Sequence, residues 1–271
     1  MMIFGLLGPE GTYSEKAALI WNSESELRYY DDVIDVVRSL VEGEIEEGII
    51  PIENSLEGSV GISLDLLREY DVRIIGEVFV PIRHCLLAKG DISEVRIVLS
   101  HPQPIAQCRL FIKENLKGVE IRTTGSTAHA AKLACEFEEM AAIASEESGL
   151  RYDLNVLYRD IQDYSDNVTR FVVLSKDGIK STGDDKTSIL IYSQKDRPGA
   201  LYEILKEFAK RDINLTKIES RPSKKAMGDY VFYIDCEGHE EDLEVKEALE
   251  NINKNVYMLK VLGSYPRASI D

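Results

Sequence analysis

Short apolar runs alternate with stretches of helical spacing through the first 176 residues of this 271-residue chain, and that alternation limits the fold more than any other feature. Residues 2–8 predict a buried strand that ends in the turn Gly8-Pro9-Glu10-Gly11. Thr12-Tyr13-Ser14-Glu15 resembles a capping box opening a helix over 16–21. Val33-Ile34, Val36-Val37 and Leu40-Val41 keep helical spacing, and 48–52 reads as a strand running into Glu53-Asn54-Ser55. A helix over 60–67 and a strand over 72–80 follow. After Pro81 come strands at 84–88, 95–99, 119–122, 140–144 and near 154–161, with helices at 103–115 and 127–137. This order predicts an α/β architecture with largely parallel sheets. The two groups of units meet near Pro81 and again near 160–168, so two lobes are expected with the chain crossing twice.

Residues 175–185 are polar and contain glycine, the best linker in the chain. Beyond it the pattern is strand 187–193, helix 199–210, strands 213–221 and 229–236, helix 240–250 and strand 255–263. That is a ferredoxin-like βαββαβ module. The expected division is a first domain over 1–177, a linker over 178–186 and a terminal domain over 187–271. Within the first domain, one lobe takes about 1–81 and 163–177, the other about 82–162. One βαββαβ unit leaves a sheet edge and one sheet face to cover, so pairing of two modules is expected.

Composition narrows the function classes. A net charge of −16, most of the excess lying before residue 177, disfavours nucleic acid and anionic membranes as partners. No apolar run approaches the ~20 residues of a membrane-spanning helix. The N-terminus has no basic residue ahead of its apolar run, so a first strand is expected rather than a signal peptide. Cys85, Cys108, Cys135 and Cys236 are widely spaced, which fits reduced thiols in a cytoplasmic protein. The four histidines are dispersed, and no spacing suggests a metal.

Polar clusters fall at strand–helix junctions, where ligands bind in open α/β sheets. They are 8–14, Pro51-Ile52-Glu53-Asn54-Ser55-Leu56-Glu57-Gly58-Ser59, Ser100-His101-Pro102-Gln103 and Thr124-Gly125-Ser126-Thr127. Each alone reads as a helix cap. Asp166-Asn167-Val168-Thr169-Arg170-Phe171 adds an amide, a hydroxyl and a guanidinium where a strand begins. Such groups are costly to desolvate without partners or a ligand. Hydroxyls, amides and free backbone N–H groups suit recognition of carboxylates and hydroxyls. No nucleophile elbow, Walker loop or GxGxxG follows a strand, so no cofactor is expected. His129 reads as a packed mid-helix residue. His101 is poised between orienting Gln103 and touching a ligand.

The ordered set GPEGTYSE, PIENSLEGSV, HPQPIAQC, STAHAA and DNVTRF resembles the prephenate dehydratase family across essentially the whole first domain. The last domain resembles the ACT module fused to those enzymes, through Asp196-Arg197-Pro198-Gly199-Ala200-Leu201 and Glu219-Ser220-Arg221-Pro222. No chorismate mutase helix stands ahead of residue 2, so the monofunctional form is expected. The resemblance implies a two-lobed, periplasmic-binding-protein-like catalytic domain and conversion of prephenate to phenylpyruvate with loss of water and CO2. It implies Thr169 as the catalytic hydroxyl, and Arg170, Asn54, Ser55, Ser126, Thr127 and Thr12 as substrate-binding residues. L-Phenylalanine is the implied effector, held by Gly199, Ala200, Leu201, Asn214 and the 219–222 segment, in a homodimer or homotetramer built on the ACT domain. A non-catalytic two-lobed amino-acid sensor shares the fold, but an intact Thr169 argues against it. Arogenate dehydratase performs the same chemistry on the amino analogue.

Overall fold

The computed structural model describes residues 2–193, 198–224 and 229–269. The first elements are β1 (Ile3–Leu7), α1 (Tyr13–Trp21), β2 (Glu26–Tyr30), α2 (Val33–Glu42), β3 (Glu47–Asn54), β4 (Gly58–Ser59), α3 (Gly61–Glu69) and β5 (Arg73–Pro81). There follow β6 (Cys85–Ala88), β7 (Ile97–Ser100), α4 (Pro102–Gln107), α5 (Arg109–Asn115), β8 (Glu120–Thr123), α6 (Thr127–Ala134), β9 (Met140–Ala144), α7 (Glu146–Arg151) and β10 (Asn155–Tyr158). The chain then enters β11 (Val168–Ser175), β12 (Asp185–Tyr192), α8 (Ala200–Ala209), β13 (Leu215–Pro222), β14 (Tyr230–Glu237), α9 (Leu243–Asn253) and β15 (Met258–Pro266).

Three sheets result. The first has the order β2-β1-β3-β11-β5, with β4 beside β3. Strand β11, formed after the whole second lobe has been traversed, is inserted between β3 and β5. The second lobe is a β10-β6-β9-β7-β8 sheet. Here β7 pairs parallel with β8 and β9, whereas β6 pairs antiparallel with β9 and β10. The sheet is therefore mixed, not largely parallel. Both faces are dry: Cys85 and Leu87 pack on the alanine face of α6, while Leu86 and Ala88 join Val98 and Ile143 opposite. The third sheet, β13-β14-β12-β15, is antiparallel and carries α8 and α9 on one face through Ile189, Ile191, Ile204, Phe208 and Leu249. A mixed α/β domain followed by a ferredoxin-like module is thus the observed class.

Several elements depart from the sequence expectation. The helix expected over 103–115 is broken at Cys108, whose ψ of 24° ends α4 before α5 begins. Strand β12 starts at Asp185, because that carboxylate gathers Ser181, Thr182 and Gly183 into a tight turn. Burial alone would raise the Asp185 pKa, but these donors outweigh it and hold it below the ordinary value.

Two compact units emerge, one of 1–36, 49–61 and 78–171, the other of 37–48, 62–77 and 172–271. Within the second, the sheet of the terminal module is fastened to residues 64–77 of its own chain. Tyr233 donates to the Leu64 carbonyl, Lys260 to those of Leu67 and Tyr70, and Arg73 to that of Val261. Lys186 reaches the fully enclosed carboxylate of Glu77 at 2.8 Å and 3.0 Å. Gly263, at φ 156°, brings β15 so near β5 that an added Cβ would stand 2.1 Å from the Ile74 carbonyl oxygen. Among the described residues no helix is long and apolar enough to cross a membrane.

Candidate functional site

Strand β11 sets the centre of the site. Its neighbours Thr169 and Arg170 project to opposite faces of the sheet, as adjacent strand residues must. The mouth of the strand is fastened by Ser55, whose hydroxyl donates to the Asp166 carbonyl and accepts from the Val168 N–H. Ser55 N–H also donates to the Val168 carbonyl. Ser55 therefore ties the loop after β3 to the mouth of β11.

On the Thr169 face runs a continuous chain of side-chain hydrogen bonds. The Asn54 amide donates to Thr169 Oγ1 at 2.9 Å and to Asn167 Oδ1 at 2.7 Å. Asn54 Oδ1 is itself fixed by the N–H groups of Leu56 and Glu57. Asn167 Nδ2 donates to Gln107 Oε1 at 3.0 Å, and His84 Nε2 meets the same oxygen at 3.0 Å. Because Asn167 uses Gln107 Oε1 as an acceptor, His84 must carry its proton on Nε2. Asn167 and His84 are each 1% exposed. Burial lowers the His84 pKa, only partly opposed by Gln107, so the ring is neutral. Tyr13 stacks edge-on against it, 6.3 Å between ring centres, and donates to the Arg83 carbonyl. Desolvation drives the Tyr13 phenol far above its ordinary range.

These groups share a cavity of about 180 Å³ with Thr127, His101 and Gln103. Among its described lining residues none is Lys, Arg, Asp or Glu. Thr169 Oγ1 accepts from Asn54, so its own O–H remains to be given to whatever enters. His101 Nδ1 accepts the Gln103 N–H, so that histidine is the N-cap of α4 as well as part of the cavity lining.

Of the residues expected from sequence, Asn54, Thr127 and Thr169 line this cavity. Thr12 and Ser126 do not: each is an N-cap, accepting from Glu15 N–H and His129 N–H respectively. Arg170 lies on the other face of β11, buried, with its guanidinium 3.8 Å from Glu53. His129 is exposed on α6 instead of packed. Tyr13, His84, Gln107 and Asn167 join the cavity lining, and of these the sequence marks only Asn167 as a polar group in need of a partner or a ligand. Three of them stood in the motifs GPEGTYSE, HPQPIAQC and DNVTRF; His84 had no motif of its own.

In the terminal module Gly199 caps α8 in the left-handed region, at φ 85°, and Ala200 and Leu201 open the helix. Asp196 and Arg197 lie outside the described residues. Asn214 precedes β13, beyond the far end of α8. Ten helical residues at 1.5 Å each make α8 roughly 15 Å long. Glu219 pairs with Lys217 and Arg221, at 3.3 Å and 3.5 Å, toward the Pro222 end of β13.

A family model described as prephenate dehydratase matches residues 4–179, and one described as ACT domain matches 187–253. The chain is 46% identical over 97% of its length to a bifunctional chorismate mutase/prephenate dehydratase of Aquifex aeolicus, covering 73% of that protein. It is 42% identical to a prephenate dehydratase of Methanocaldococcus jannaschii, covering 95% of this chain and 96% of that one. A solved prephenate dehydratase from Arthrobacter aurescens, in complex with L-Phe, superposes with TM-score 0.89 at 36% identity, covering 98% of this chain and 90% of the other.

Proposed function

Because the chain belongs to the prephenate dehydratase family, we propose that the cavity at Thr169 is where its own residues carry the family's reaction. The enzyme converts prephenate to phenylpyruvate. The bond from the ring to its carboxylate breaks and that electron pair enters the ring, while the C4–O bond breaks and its pair leaves with oxygen. One proton joins that oxygen, so the dianion gives a monoanion, CO2 and water. The return of aromaticity drives both cleavages, and the protein has to hold the anion, assist the departing oxygen and exclude bulk water.

Thr169 is the donor to the leaving oxygen. The observation that carries this assignment is the Asn54 amide bond to Thr169 Oγ1, which polarises the hydroxyl and turns its proton outward into the cavity. An alcohol releases a proton reluctantly, so Thr169 acts as a positioned hydrogen-bond donor that strengthens as oxygen gains charge. Asn167 and Gln107 keep the Asn54 amide in one orientation, and Thr127 adds a hydroxyl. Arg170 braces the opposite face of the strand against Glu53, and Ser55, Thr12 and Ser126 hold loops and helix ends that shape the cavity. Thr169→Ala should lose 10²-fold or more in kcat, on the order of 3 kcal/mol, while the chain stays folded. Thr169→Ser should retain much of the rate. Turnover of Thr169→Ala close to that of the parent, followed by phenylpyruvate absorbance in base, would remove Thr169 from the mechanism.

Regulation is read in the terminal module. L-Phenylalanine, which the Arthrobacter aurescens relative holds, is the proposed effector. The left-handed turn at Gly199 leaves the first N–H groups of α8, at Ala200 and Leu201, open to a carboxylate. Asn214 and Glu219-Ser220-Arg221-Pro222 complete the set. Gly199 opens α8 and Asn214 follows its far end, so a ligand held by both is met most simply by two copies, which supports a homodimer or a homotetramer of such dimers. The division into 1–177, a linker over 178–186 and 187–271 is retained as the functional one. Four free thiols fit a cytoplasmic location.

A further inference from the structure

Strand β13 has two faces, and the segment Glu219-Ser220-Arg221-Pro222 is divided between them. Residues opposite one another on paired strands share a face, and successive residues alternate. Ser220 stands opposite Phe232, and Ile218 opposite Ile234, on the face that packs against α8 and α9. Glu219 stands opposite Tyr233, and Arg221 opposite Val231, on the other face. The proposed phenylalanine site opens at Gly199, Ala200 and Leu201, where α8 starts, so it belongs to the helix-bearing face. The side chains of Glu219 and Arg221 leave the sheet on the side away from it.

On that side they meet α3. Tyr233, only 2% exposed, donates to the Leu64 carbonyl at 2.9 Å. Its phenol is pushed up to about 12, first by burial, and the charges acting on it are Arg68 and Asp65 of α3 and Arg221 and Glu219 of β13. Glu219 lies 3.3 Å from Lys217 and 3.5 Å from Arg221, and Arg68 lies 4.0 Å from Asp65. Just past Pro222, Arg68 donates to the Ser223 carbonyl at 3.1 Å, and Lys224 meets Asp65 at 2.6 Å. Asp65, Arg68, Lys217, Glu219 and Arg221 are each at most a quarter exposed, so solvent screens this cluster weakly.

We propose that this joint carries the phenylalanine signal to the cavity at Thr169, and that the Glu219 and Arg221 side chains are coupling groups that do not touch the effector. Along the chain, α3 connects the two ends: it begins at Gly61, just after residues 55–60, which follow Asn54. Asn54 orients the Thr169 hydroxyl, and its own Oδ1 is held by the N–H groups of Leu56 and Glu57 in that same stretch. A displacement of α3 therefore reaches the Asn54 amide through few residues. A ligand on the Ser220 face fixes the backbone of β13, and the same backbone sets Glu219 and Arg221 against α3. Inhibition then follows if phenylalanine favours one arrangement of the joint over another. The Lys186–Glu77 and Arg73–Val261 contacts fasten β12 and β15 instead, and leave β13 to α3.

This role for the joint rests on L-phenylalanine being the effector proposed for the module. The test measures two quantities on the full chain. One is the calorimetric Kd for L-phenylalanine; the other is the ratio of kcat/KM for prephenate without effector to that at saturating effector, which reads the coupling. Tyr233→Phe removes one hydrogen bond and no charge, and Glu219→Gln keeps the shape while removing the charge that gathers Lys217 and Arg221. In both variants the Kd should stay within about threefold of the parent's while the ratio falls about fivefold or more toward one. Gly199→Val, on the effector face, should do the reverse: a Kd raised about tenfold or more, with the parent's ratio recovered at saturation. An unchanged ratio in either joint variant, even beside a lowered melting temperature, would overturn the proposal and leave the joint as a fastening. A Kd for Glu219→Gln that rises in step with lost inhibition would put Glu219 on the ligand and overturn it too. Neither heat nor inhibition with the parent chain would fail the effector reading itself, and the joint would then have no signal to carry.

Discussion

Thr169 and Arg170 are neighbours in sequence and serve opposite sides of β11. Charge alone makes Arg170 the natural partner for a substrate carboxylate, but a period of two sends it to Glu53 once Thr169 faces the cavity. Arg170→Lys should therefore lower the melting temperature, by an amount equivalent to about 1–2 kcal/mol, and change KM less than threefold. A large rise in KM at unchanged melting temperature would put the guanidinium on the substrate after all. Thr12 and Ser126 illustrate the same limit of reading residues singly: a hydroxyl ahead of a helix is an equally good cap and ligand, and here each is a cap. Thr169 and Asn54 were legible because a polar group at a strand mouth needs explanation. Gln107 and His84 were not, since one is an unremarked amide on a helix and the other an isolated histidine after Pro81-Ile82-Arg83.

Elements were legible where one face is apolar and ends are marked. The strands and helices of the terminal module stand near their expected bounds for that reason. Strand β2 was missed because Glu26-Leu27-Arg28-Tyr29-Tyr30 is half-exposed at a sheet edge, where no apolar run is required. Helix α7 was missed because it spans only six residues, two of them acidic, and depends on its Ser145 cap. The direction of β6 cannot be read from an apolar run that is buried on both faces. At the start of α8 the backbone does speak through sequence: φ 85° suits Gly199 and strains a β-branched residue. Gly199→Val should raise the L-phenylalanine concentration for half-inhibition tenfold or more in a steady-state assay. An unchanged midpoint would take Gly199 out of the effector site.

Across the molecule, the second compact unit joins the terminal module to residues 62–77, which precede it by more than a hundred positions. Sequence could delimit the module but not reveal that its sheet rests on α3 and β5, because no local pattern encodes contacts so distant. The Lys186–Glu77 pair is the sharpest energetic consequence. Glu77 is 4% exposed, so Lys186→Met removes the cation from a buried carboxylate that the Ala268 N–H also holds, and should cost about 3–5 kcal/mol of unfolding free energy, measured by denaturant melts. A loss below about 1 kcal/mol would mean that other partners or water carry the Glu77 charge without the lysine. Truncation at residue 177 removes the same lysine, so a shortened chain is expected to be less stable as well as insensitive to L-phenylalanine. Gly263 carries a different kind of consequence. With backbone where its side chain would be, position 263 has no conservative substitution, and a library of all twenty amino acids there should collapse to a single survivor under selection for growth without added phenylalanine. The fit of one strand on another has thereby turned a point in the chain into a letter that evolution can keep or lose but not respell.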